Sequence, residues 1–128
     1  MLNKKSYLFI AISWTCLVTI LSLITISDEF TKTIDIDVEY KDKYVHFLFY
    51  LVFVILWFLF IIRTKYVNSA KLKSLIFAVS CGIIIEICQG LYTTTRTPDI
   101  YDVLANSIGA FTGTLILDIF YKNTKTTP

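Results

Sequence analysis

The chain has 128 residues, 55% of them hydrophobic and 16% aromatic, with a formal net charge of +2. That length suits a single domain spanning 1–128, and its long apolar runs exclude an ordinary water-soluble core. The basic residues flank those runs, so an anionic membrane surface explains them and no nucleic-acid partner is expected. The three cysteines, Cys16, Cys81 and Cys88, all lie inside apolar runs. They are expected to be small buried side chains, which argues against a disulfide framework or a zinc site.

A helix needs about 20 residues to cross a hydrocarbon core about 30 Å thick. Four segments reach that length: 7–26, 44–62, 74–92 and 98–120. The first carries no charge. Lys4 and Lys5 before it resemble the start of a signal peptide, but the run is longer than a signal core and no A-x-A-like site follows. A retained first helix is therefore expected. The segment that follows is acidic, with Asp28, Glu29, Asp35, Asp37, Glu39 and Asp42 against Lys32, Lys41 and Lys43. Within it Ile34, Ile36, Val38 and Tyr40 alternate with acids, which is a strand period, although no partner strand is evident.

In the second helix His46 is the one ionisable interruption apart from tyrosines, and in the third it is Glu86. The fourth has a readable start: Thr97 as N-cap, Pro98 at the first position, and Asp99 at the positive end of the dipole. Asp42 suits the start of the second helix for the same reason. Gly109 and Gly113 form a G-x-x-x-G that favours close helix packing, within the chain or between chains. Asp118 is expected to pair with Lys122 four residues on.

The fold class that follows is all-α, an integral membrane bundle of four transmembrane helices. Lys4, Lys5, Arg63, Lys65, Lys71, Lys73, Lys122 and Lys125, eight of the twelve basic residues, fall on one side of it. The positive-inside rule puts that side and both termini in the cytoplasm, and the short acidic loop outside.

The polar residues then converge. Asp42, His46 and Tyr50 are four apart on the second helix, Glu86 and Gln89 three apart on the third, and Asp99, Asp102 and Asn106 three and four apart on the fourth. Each set makes one stripe, and all three approach the outer leaflet. An acid inside the bilayer costs a few kcal/mol, so such residues face a bundle interior or a cavity and often mark function. Glu86 would need Arg96, Lys43 or a protonated His46 as partner. The alternative is structural: amides such as Gln89 and Asn106 hold membrane helices together, and Asp42 and Asp99 cap helices.

The combination DKYVHFLFY at 42–50, EICQ at 86–89, Arg96 and DVLANSIGAFTG at 102–113 resembles the VanZ-like membrane proteins. Helix 1 and the acidic loop carry no part of that pattern. The resemblance implies a small multi-pass protein of the bacterial inner membrane. The family's founding member is linked to teicoplanin resistance. Its motif positions here are Asp42, Lys43, His46, Glu86, Gln89, Arg96, Asp102 and Asn106. Three functions fit. The first is a site for a lipid-linked envelope precursor or an anionic lipid headgroup, with Lys43 and Arg96 on the phosphate, and Glu86, Asp102 and His46 orienting it or relaying protons. The second is an enzyme on a lipid headgroup, with Glu86 or His46 as general base and Arg96 as stabiliser. The third is a non-catalytic assembly subunit, associating with itself or another chain through the Gly109/Gly113 face. No cofactor and no metal is expected for any of them.

Overall fold

The computed structural model describes residues 2–24, 41–64, 66–93 and 97–121. They form four helices: α1 (Lys4–Leu23), α2 (Lys41–Ile61), α3 (Val67–Tyr92) and α4 (Ile100–Tyr121). All four are long and apolar enough to cross a membrane. Thr94, Thr95 and Arg96, and the alternating acidic stretch after Ile24, lie outside the described residues.

Apolar side chains cover the outside of the bundle. Phe9, Ile20, Leu72, Ile84, Phe111 and Ile119 are all exposed, which suits a hydrocarbon solvent and would be untenable in water. The inward stripes carry the small and polar residues instead. On α3 these are Ala70, Ser74, Ala78, Gly82, Glu86 and Gln89. On α4 they are Asp102, Asn106, Gly109, Gly113 and Leu117. Both follow the three-to-four spacing of one helix face. Hydroxyls on the spans close onto their own backbone: Thr15 donates to the Ala11 carbonyl, Thr19 to Thr15, and Thr114 to Ala110. No hydroxyl of that set is left bare in an apolar surround.

The centre of the bundle is the α2–α4 contact. Gly109 and Gly113 lie against the α2 backbone, where a Cβ on Gly109 would strike the Phe47 carbonyl and one on Gly113 the Val54 side chain. The glycine face expected to serve association between chains is thus covered by the chain's own α2. Tyr50, Phe53 and Val54 of α2 form the fully buried core there, with Val18, Ala78 and Ala110. α1 joins at the edge, through Trp14 Nε1 donating to the Phe49 carbonyl at 3.1 Å and Trp57 Nε1 donating to Thr15 Oγ1 at 3.0 Å.

Four local expectations change. α4 begins at Ile100, and Asp99 caps it, its carboxylate accepting the Tyr101 N–H at 2.8 Å; Thr97 lies two residues upstream of that cap. α3 starts at Val67, seven residues before the apolar run, because Lys71 at its polar beginning is drawn to Asp118 of α4. Asp118 therefore has an interhelical partner, while Lys122 lies outside the described residues. Cys16 faces outward rather than inward, and Cys81 and Cys88 are half-buried; all three are free.

Candidate functional site

The polar stripes of α2, α3 and α4 meet at one end of the bundle. The α2 and α4 N-termini and the α1 and α3 C-termini share that end. Lys43 is its hub. The ammonium bonds both Asp99 and Asp102, so one cation joins the cap of α4 to the first turn beyond it. Asp102 is buried, its side chain 7% exposed. The Lys43 bond holds the Asp99 carboxyl below the usual carboxylate range, and the Tyr101 N–H adds to this. A depressed carboxyl contributes stability above its unfolded value, here 3.8, that is lost as pH falls through the folded value. Acid unfolding of wild type should thus steepen below about pH 4. Asp99→Asn should flatten that limb in a thermal-melt series across pH; an unchanged limb would place the Lys43 bond elsewhere.

His46 sits beneath Lys43, 4% exposed. Its Nδ1 is 3.0 Å from Asn106 Oδ1. An amide oxygen only accepts, so Nδ1 carries a proton, and in the neutral ring Nε2 presents a lone pair. Nε2 faces Asp102 Oδ2 at 3.7 Å and Asp42 Oδ1 at 3.9 Å, both beyond hydrogen-bond reach. Asp42, His46 and Asp102 each offer a ligand atom within 4.8 Å of the others. No metal is expected from the sequence, yet the fold brings together a donor set that could hold one.

Among the described residues Glu86 bonds neither Lys43 nor His46, and Arg96 lies outside them. Its Oε1 accepts the Asp99 backbone N–H at 2.5 Å. That N–H belongs to the entry of α4, where orphan donors and the positive dipole end favour a carboxylate. Glu86 is thus an interhelical cap. Among the described residues its Oε2 is buried with no hydrogen-bond partner, and the same holds for the Tyr50 hydroxyl on the neighbouring face of α2. Gln89 turns the other way and donates to the Ser22 carbonyl at 2.7 Å, tying α3 to the end of α1.

Between the ends of α3 and α4 lies a cleft of about 500 Å³. Its walls are apolar, chiefly Ile83, Ile87, Leu91, Ile100 and Val103, and Glu86 contributes to the lining. Gly90 permits the close approach of Pro98 that shapes its rim.

Of the eight motif positions, Asp42, Lys43, His46, Asp102 and Asn106 form one connected group. Glu86 joins it through the Asp99 backbone, and Gln89 points to α1. Arg96 lies outside the described residues. Asp99, read from sequence as a helix-start acid on the stripe of Asp102 and Asn106, is the second carboxylate on Lys43. Its three-residue spacing from Asp102 is the signal that two acids share one face.

Four membrane-length helices with an ion-pair cluster buried at one end define a multi-pass membrane protein. A family profile described as VanZ/LLP1 matches residues 7–121, and the chain belongs to that family. The match extends past the motif stretch to take in α1 and the acidic segment. No curated protein and no solved structure matches the chain.

Proposed function

We propose that this end of the bundle is a binding site for a membrane amphiphile, reached sideways from the outer leaflet. The lipid chain lies in the α3–α4 cleft and the headgroup meets the ionic cluster. The observation that carries this reading is Glu86 Oε2, a buried acceptor without a partner among the described residues, in the lining of an otherwise apolar cleft. An unpaired buried carboxylate oxygen is costly, and a ligand O–H or N–H relieves it. The distribution of basic residues supports an outward-facing position for this end.

The chemistry of the headgroup differs from a bare anion. Among the described residues of the cluster, Lys43 stands alone as a fixed cation against Asp42, Asp99, Asp102 and Glu86, and it is already engaged. It is no free hook for a phosphate. A donor-rich headgroup, such as the sugar of a lipid-linked envelope precursor, fits that acid excess better than a simple anionic lipid.

The test is photo-crosslinking in bacterial-lipid nanodiscs with a lipid-linked saccharide bearing a reactive group on its chain. Labelling should map to Ile87, Leu91, Ile100 and Val103 and fall about tenfold in Glu86→Gln, the cost of about one charge-assisted hydrogen bond. Labels spread evenly around the bundle and indifferent to Glu86→Gln would favour the assembly-subunit reading. Release of a labelled headgroup by wild type but not by Glu86→Gln would move the site to catalysis, with Glu86 as the base.

A further inference from the structure

From the geometry of His46 we infer a second site, independent of the amphiphile reading: Asp42, His46 and Asp102 bind one divalent transition-metal ion, of the zinc or manganese class. The observation is the orientation of the ring. Asn106 fixes a proton on Nδ1 at 3.0 Å, so in the neutral ring Nε2 aims its lone pair at two carboxylate oxygens. Three acceptors facing one another with no proton between them repel, and a cation in their midst reverses that repulsion. A histidine whose far nitrogen is held by an amide carbonyl is also the usual support for a metal-ligating imidazole.

Lys43 does not close the site. It takes Asp102 Oδ1, while Oδ2 is the oxygen turned toward His46. One carboxylate thus serves the ammonium with one oxygen and the metal with the other. Metal–ligand bonds of about 2.1 Å put neighbouring ligand atoms roughly 3.0–3.6 Å apart. The 3.7 and 3.9 Å separations from His46 need to contract by a few tenths of an ångström, and the two carboxylate oxygens, which lie within 4.8 Å of each other, must draw together further. Asp42 can supply the movement, because its side chain is 50% exposed at the start of α2. The same exposure opens the site to water, leaving coordination positions for water or for an oxygen of a ligand. One imidazole nitrogen with two carboxylate oxygens suits Zn²⁺, Mn²⁺, Fe²⁺ or Co²⁺ over Mg²⁺ or Ca²⁺, which prefer all-oxygen shells. A bound ion would give the acid-rich end the positive charge that Lys43 cannot spare.

The experiment is a Co²⁺ titration of the full chain, carrying no polyhistidine tag and stripped of metal, in detergent. The visible d–d absorption reads the coordination, and calorimetry with Zn²⁺ reads the stoichiometry. One saturable equivalent is expected, with Mg²⁺ a poor competitor. Asp42→Asn, on a half-exposed side chain, should weaken Co²⁺ binding by about tenfold or more, and His46→Gln should abolish the spectrum. Asn106→Leu, which frees the ring without removing a ligand, should weaken binding about 10–100-fold. Absence of a Co²⁺ spectrum in folded wild type, or a spectrum unchanged in Asp42→Asn, overturns the proposal.

Discussion

Lys43→Met should destabilise the protein by roughly 2–4 kcal/mol, more than any other single change at the cluster. Removing one partner of a buried ion pair costs about 3–5 kcal/mol, because the other charge stays behind uncompensated. Here two charges stay behind. Asp99 and Asp102 both bond the ammonium, and their loss of a common partner leaves two carboxylates facing each other beside Glu86 and Asp42. Partial exposure tempers the cost, since the side chains of Lys43 and Asp99 are 28% and 35% exposed and water screens what remains. Thermal unfolding in detergent measures it. The double variant Lys43→Met/Asp102→Asn should recover a good part of the loss, since it removes the buried charge along with its partner. The resulting double-mutant cycle isolates the pair. A Lys43→Met protein within about 0.5 kcal/mol of wild type, the ordinary range for a surface change, would show that the ammonium is a solvated side chain and not the joint between α2 and α4.

The stripes were legible because a polar residue inside a membrane helix has few places to go. His46, Glu86, Asp102 and Asn106 all lie on inward faces, where their spacing put them. Four spans could be counted for the same reason. What the spacing could not supply was pairing. Lys43 and Arg96 look alike in a sequence as candidate hooks for an anion, yet Lys43 is consumed by two acids of α4. Glu86 was expected to need a cation, and among the described residues it takes a backbone N–H. Helix-end donors carry no signature in side-chain patterns, so the capping of α4 from α3 appears only once the helices are placed. Tyr50 was read simply as continuing the Asp42–His46 face, and its buried hydroxyl without a partner is a property of depth rather than of periodicity. The glycine pair was readable as a packing face, but a G-x-x-x-G does not say whether its partner is the same chain. The helix boundaries moved for electrostatic reasons: α3 reaches back to Val67 with Lys71 bound to Asp118, and α4 waits for Asp99 to cap it.

Gly109→Ala should unfold or loosen the bundle by about 1–3 kcal/mol, the range for overpacking a closely fitted contact, and Gly109→Leu by more. On an exposed helix the change to alanine would stabilise by roughly 1 kcal/mol, so the sign itself is diagnostic. A Cβ at Gly109 meets backbone, with the Phe47 Cα 3.0 Å away and its carbonyl carbon 2.9 Å away, and backbone cannot rotate aside. α4 must then move away from α2. That movement pulls Asp102 from Lys43 and Asn106 from His46, because all four residues lie on the two helices that separate. Loss of stability and loss of the site should therefore travel together: Gly109→Ala weakens Co²⁺ binding and lipid labelling along with the melting temperature. Gly82→Ala is the control. Its Cβ would meet Tyr50 and Asn106 side-chain atoms at 3.3 Å, contacts that a shift of a few tenths of an ångström relieves, so its effect should be the smaller in all three measurements. A Gly109→Ala protein as stable as wild type, with the site intact, would mean that α2 and α4 stand farther apart in the membrane. The ionic cluster would then need another joint to hold it.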